Sequence, residues 1–147
     1  DVHGVRAALA LGAQGGWLGT RFLATVESGA HDDFKQLLLA ADATDTIYTT
    51  LFDQGWPGAP HRALRNSTVR LWEGAGSPPT GKRPHEGEII GAFPDGNPIP
   101  RYGVPAPMQG SKGEIEAFAL YAGQSVGLIR DLPSVAAVMA GLVKAFD

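Results

Sequence analysis

Gly19 and Thr20 close a short apolar run, Gly16-Trp17-Leu18, and lead through Arg21, Phe22 and Leu23 into a helix-like segment. Glycine lets a backbone come close to a ligand, and a threonine hydroxyl beside free backbone N–H groups makes a small anion site suited to phosphate. The same pair equally suits an ordinary tight turn, and the motif by itself leaves both readings open. No other group of reactive side chains has comparable spacing. The four histidines, His3, His31, His61 and His85, match no zinc motif and read as structural or surface groups. Ser28, Ser67 and Ser125 show no nucleophile elbow, and Asp32-Asp33 reads as a complement to a helix dipole rather than a carboxylate dyad. The tract Glu73-Gly74-Ala75-Gly76-Ser77 follows no strand and lacks the Lys-Ser ending of a P-loop, so it reads as a loop.

The elements that must position Gly19 and Thr20 are legible on both sides. Val2, Val5, Ala8 and Leu9 share one helical face that stops at Gly12, so the chain is predicted to run helix, turn, buried strand at Gly16-Trp17-Leu18, then helix. Trp17 reads as a core or interface residue. Phe34, Leu37, Leu38 and Ala41 form the inward stripe of the next helix, with Asp32 and Asp33 in its first turn. Asp45 to Phe52 predicts a strand, Asp53 to His61 a Gly/Pro loop, and Arg62 to Leu71 a short strand passing into a helix. Glu73 to Pro107 is dense in Gly and Pro and predicts little regular structure beyond a short strand at Glu88–Phe93 and a turn at Asp95-Gly96-Asn97-Pro98. Ile115, Phe118, Ala119 and Ala122 fit one helical face, and a last helix from Pro133-Ser134 carries Val135, Val138, Met139, Leu142, Val143 and Phe146. Pro133 suits its first turn and Asp131 its cap. Helix, loop, buried strand and helix in succession indicate an α/β fold class, and read like the last unit of a parallel barrel.

The run GVRAALALGAQGGWLGTRFLATVESGAHDDFKQLLLAADATDT closely resembles the nitronate monooxygenases, the FMN-dependent enzymes once called 2-nitropropane dioxygenases. A second pair of runs, GEIIGAFPDGNPIPRY and GEIEAFALYAGQSVGLIRDLP, resembles the C-terminal part of the same family, in the same order. The resemblance implies the C-terminal portion of an FMN-binding (β/α)8 TIM barrel plus a smaller α/β lobe with long irregular loops. Residues 1–25 would be the last helix-strand unit of the barrel, 26–112 the inserted lobe, and 113–147 helices returning to the barrel. It further implies that Gly19 and Thr20 bind the FMN phosphate. Tyr121, Gly123 and Gln124 would line the substrate side and donate to a nitro or nitronate oxygen, although a close helix crossing explains the same residues. Lys112 and Arg130 nearby read as solvated. The family's catalytic histidine and most of its flavin contacts fall outside this stretch. The expectation is therefore a portion that holds no catalytic residue, does not oxidise nitronates to carbonyl compounds and nitrite by itself, and meets nitronate or nitroalkane and oxygen only in the intact protein.

Two other readings stand beside this one. FMN-dependent enoyl reductases share the barrel and phosphate loop, while IPRY and YAGQSVGLIRD point away from them. A barrel remnant could instead pair with a second copy as a non-catalytic homo-oligomeric binding module. Composition narrows the field. With 44% hydrophobic and 18% charged residues the chain is ordinary for a folded protein, and its net charge of −3 with scattered Lys and Arg argues against a nucleic-acid surface. The absence of cysteine excludes disulfides and thiolate metal sites and suits a reducing cytoplasm. No apolar run approaches the length of about 18 residues needed to cross a membrane, so a cytoplasmic protein is expected.

Overall fold

The computed structural model describes residues 1–146 of the 147. Five helices and five short strands follow one another as α1 (Val2–Ala10), α2 (Thr20–Leu23), α3 (Asp32–Ala40), β1 (Thr46–Thr49), β2 (His61–Leu64), α4 (Ser67–Gly74), β3 (Ile89–Ala92), β4 (Pro98–Pro100), β5 (Lys112–Gly113) and α5 (Val135–Val143). The architecture is α/β without a closed barrel among the described residues. One antiparallel sheet pairs β1 with β2 in the register Thr46 to Leu64 and Thr49 to His61. The other has the order β4-β3-β5.

The helix starts follow local chemistry. Asp1, Asn66 and Ser134 each accept a hydrogen bond from a first-turn N–H, at Gly4, Val69 and Ala137. His31 does the same for α3 through its ring nitrogen, with Asp32 and Asp33 in the first turn. The C-terminal helix is thus capped by Ser134 rather than Asp131, whose carboxylate is taken by Arg21 at 2.9 Å. Pro133 lies ahead of that cap, so it precedes the helix instead of opening it. Glu27 adds two acceptors at the same terminus, 2.9 and 3.0 Å from the Val135 N–H.

The principal core joins Phe34 and Leu38 of α3 to Ala24, Leu64, Leu120, Ala122, Val126 and Ile129. Two further clusters centre on Phe52, Val69 and Tyr102 and on Ile90, Ile99 and Phe118. Gly91 permits the last: a Cβ there would stand 2.6 Å from the Phe118 ring. Tyr102 adopts φ 66°, a left-handed backbone uncommon for a bulky side chain. Its surroundings hold it there: it is fully buried, its hydroxyl donates to the Pro84 carbonyl at 2.8 Å, and the Arg83 guanidinium lies 4.4 Å over its ring.

Several sequence expectations are corrected. Gly16-Trp17-Leu18 forms no strand, because a strand needs a ladder partner and none of the described residues offers one there. Trp17 is fully exposed, so it is not a core residue. The strand expected over Asp45–Phe52 shortens to Thr46–Thr49, with Leu51 and Phe52 buried beyond its end. The helix expected across Ile115–Ala122 is a 3-10 turn at Ile115–Ala117 followed by extended chain. Leu120 and Ala122 add that chain to the first sheet, through the Leu64 N–H donating to Leu120 O at 2.8 Å and the Ala122 N–H to Arg62 O at 3.1 Å. Phe118 to Leu120 is buried on every side, so its apolar spacing carried no information about period. The amphipathic stripe of α5 buries only Val138 among its apolar residues, while Met139, Val143 and Phe146 stay exposed.

Candidate functional site

Gly19 ends the extended segment and serves as the N-terminal boundary of α2. Its φ of −89° is open to any residue, and a Cβ built on it would meet nothing within 4 Å. Neither torsion nor packing inside the chain therefore demands glycine at 19, and the space beside it is free for a ligand. Among the described residues, the backbone N–H groups of Gly19, Thr20 and Arg21 have no acceptor, as the opening turn of a helix leaves them. Gly19, Thr20 and Arg21 line a cleft of about 570 Å³, walled also by α1 at Gly4 and Val5, by Trp17 and Leu18, and by Gly123, Ser125 and Leu128.

The contact that assembles this cleft runs between distant parts of the chain. The Gly123 N–H donates to Thr20 Oγ1 at 3.0 Å. Accepting that bond fixes the hydroxyl oxygen and leaves its proton free to point at an anion. Arg21 braces the turn. Its guanidinium donates to the Asp131 carboxylate at 2.9 Å, to Asp131 O at 2.8 Å and to Ala24 O at 2.6 Å, while its buried Nε has no partner. Asp1 also lines the cleft, with its carboxylate engaged by the Gly4 N–H at 2.8 Å. N–H donors and one hydroxyl at the edge of a cleft are groups able to hydrogen-bond an anion, while the Arg21 charge is already met by Asp131.

The structure thus brings Gly19, Thr20 and Gly123 together. Gln124 follows on the same turn, exposed, at the start of the 3-10 segment Gln124–Leu128. Tyr121 goes elsewhere: its hydroxyl donates to Val104 O at 2.8 Å, and its ring meets His61 edge-on with centroids 5.3 Å apart. Burial raises the Tyr121 hydroxyl above its ordinary pKa, so it stays protonated. Lys112 is exposed, and Arg130 is exposed while pairing with Asp42 at 3.1 Å. Among the described residues, no group of three or more His, Asp or Glu is gathered to hold a metal, and no helix is long and apolar enough to cross a membrane.

Sequence reasoning missed the buried cations. Arg83 sits between Asp53 and Glu86 and donates to Leu51 O at 2.8 Å; Arg101 pairs with Glu88 at 2.9 Å and Glu114 at 3.2 Å. Hydrogen bonding to Arg83, foremost among several contacts, holds the Glu86 carboxyl below its ordinary range. The nearby prolines and glycines hid these clamps, since they signalled loop and nothing about what ties it down.

The nitronate monooxygenase family profile matches residues 1–145. A nitronate monooxygenase from Paraburkholderia phytofirmans is 32% identical over 134 residues, which is 91% of this chain and 32% of that protein. A probable nitronate monooxygenase from Bacillus subtilis is 54% identical over 52 residues, 35% of this chain and 15% of the relative. Among solved structures, FabK from Thermotoga maritima superposes with a TM-score of 0.70 at 30% identity, over 99% of this chain and 41% of that one. The chain accordingly spans well under half the length of each of these proteins.

Proposed function

The chain belongs to the nitronate monooxygenase family, and on that premise we propose that the Gly19–Thr20 turn takes the phosphate of FMN in an oxidoreductase that converts nitronates and oxygen to carbonyl compounds and nitrite. The observation that carries this reading is the Gly123 N–H to Thr20 Oγ1 bond, which makes one cleft of two turns. FMN bound there would supply the redox chemistry between substrate and oxygen. This chain's part is binding and orientation. The N–H groups of Gly19, Thr20 and Arg21 and the Thr20 hydroxyl hold the phosphate. Gly123 and Gln124 form the opposite lip on the substrate side. Tyr121, two residues before Gly123, is held by its hydroxyl's bond to Val104 O and is assigned no contact with substrate.

No residue of the chain is assigned as a base. A ligand held at its phosphate alone is poorly oriented at its reacting end, so this chain by itself is expected to bind flavin weakly and not to turn over. A second reading, an FMN-dependent enoyl reductase-like flavoenzyme, draws on the likeness to FabK. A third, a self-associating module, draws on the exposed Leu11, Trp17, Met139, Val143 and Phe146. Titration of the purified 147-residue chain with FMN, followed by its visible spectrum with and without excess inorganic phosphate, tests the site. Displacement by phosphate is expected, and FMN binding indifferent to phosphate overturns the assignment. Native mass on the same sample addresses pairing, and oxygen consumption with a nitronate against reduction of an enoyl thioester by a nicotinamide, both assayed on the intact protein, separates the two enzyme readings.

A further inference from the structure

Nothing inside the chain requires glycine at 123. Its φ of −77° and ψ of 166° are extended backbone open to any residue. Beyond its immediate neighbours, a Cβ built there would meet two atoms, Thr20 Oγ1 and Ser125 Oγ, each at 3.7 Å and in ordinary contact. Gly127 in the adjoining 3-10 segment is different, since a Cβ there would stand 3.0 Å from Ala43 N. The side chain missing at 123 therefore leaves a space that two hydroxyls flank, one from each turn of the cleft. Thr20, Gly123 and Ser125 all line that cleft, and Ser125 is exposed. The Gly123 N–H fixes Thr20 Oγ1 at 3.0 Å, while the Ser125 hydroxyl is free to turn about its single side-chain torsion. The cleft has no spare positive charge: Arg21 is met by Asp131 at 2.9 Å, and Asp1 adds a carboxylate to the lining. An anion held there depends on hydrogen-bond donors, and a hydroxyl donating to a charged oxygen is among the stronger ones.

We infer that Ser125 is a further phosphate-binding residue, its hydroxyl donating to a phosphate oxygen seated in the space beside Gly123 while Thr20 donates to the same group from the other turn. Glycine at 123 is what keeps that space open. The inference rests on the reading of the Gly19–Thr20 turn as the seat of the FMN phosphate. To that reading it adds a ligand from the second turn and a reason, absent from torsion and packing, for the missing side chain.

Inorganic phosphate and FMN are the probes, titrated separately by calorimetry into the full chain and its variants. Ser125→Ala is expected to weaken both by about tenfold, the loss of one donor to a charged group, and Ser125→Thr to restore both by returning the hydroxyl. Gly123→Ala is expected to weaken both by at least about tenfold, because its methyl group fills the space, with no loss of stability in urea unfolding. Binding and folding are thereby read apart. Unchanged affinity in Ser125→Ala or Gly123→Ala, lost stability in Gly123→Ala, or weakened FMN with inorganic phosphate unaffected each overturns the inference. In all of these cases the phosphate reading itself survives if Thr20→Val still weakens both probes. An unmutated chain that binds neither probe overturns the reading and the inference together.

Discussion

Replacing the Thr20 hydroxyl by a methyl group, Thr20→Val, keeps the shape of the side chain and removes its oxygen. Two separable losses follow. Without a ligand, the half-buried Gly123 N–H loses its acceptor at 3.0 Å, which removes one hydrogen bond and leaves a donor that water reaches only in part. A net bond is worth about 1 kcal/mol and an unsatisfied donor about 1–3, so a destabilisation of about 1–2 kcal/mol is expected in urea unfolding. The Gly123 amide should also exchange its hydrogen about tenfold faster, since 1.4 kcal/mol corresponds to a factor of ten. With a phosphate bound, the variant further loses a charge-assisted bond of about 1.5–3 kcal/mol, and FMN or inorganic phosphate should bind about 10- to 100-fold more weakly. Thr20→Ser restores the oxygen without the methyl group and should recover most of both effects. Unchanged stability and exchange in Thr20→Val would show that the hydroxyl does not join the two turns. Unchanged phosphate affinity, with stability lost as expected, would confine Thr20 to a structural role and sink the FMN reading.

Asn66→Ala should destabilise the chain by about 2–4 kcal/mol in the same unfolding assay, because the fully buried amide both caps α4 at Val69 N and donates to Phe118 O at 2.6 Å. Gly91→Ala places a Cβ against the Phe118 ring and the β5 backbone, neither of which is a flexible side-chain end, and a loss of about 1–3 kcal/mol in unfolding free energy is expected. Burial raises the pKa of Tyr102 and Tyr121, so two of the three tyrosines should ionise above the ordinary value of 10 in an ultraviolet titration. Their raised folded pKa contributes stability that is complete below pH 10 and is lost as pH climbs through the folded values, so alkaline unfolding should begin sooner in the native chain than in Tyr121→Phe.

Local chemistry was legible wherever it acts within a few residues. The 3.6-residue spacing of Phe34, Leu37, Leu38 and Ala41, the acidic first turn of α3, the strand-to-helix passage at Arg62–Leu71 and the turn at Asp95–Pro98 all appear as read, because each depends on neighbours in sequence. Gly19 and Thr20 could be picked out for the same reason. What tertiary structure decided were the pairings across the chain. Whether Gly16-Trp17-Leu18 becomes a strand depends on a ladder partner that its own residues cannot supply. The stretch from Phe118 to Leu120 is buried on both faces, so its apolar pattern could not tell extended chain from helix. Arg83 and Arg101 carry no local signal of burial, since the carboxylate partners that make it tolerable are brought in by the folding of the loops. Thr20 and Gly123 lie 103 residues apart, and no local signal could place one turn's N–H on the other's hydroxyl. The sequence alone named Gly19 and Thr20 as the residues of the proposed anion cradle; only the folding of the 123 turn onto the 20 turn joined them in a single cleft, because a hydrogen bond is set by distance in space and sequence patterns report only distance along the chain.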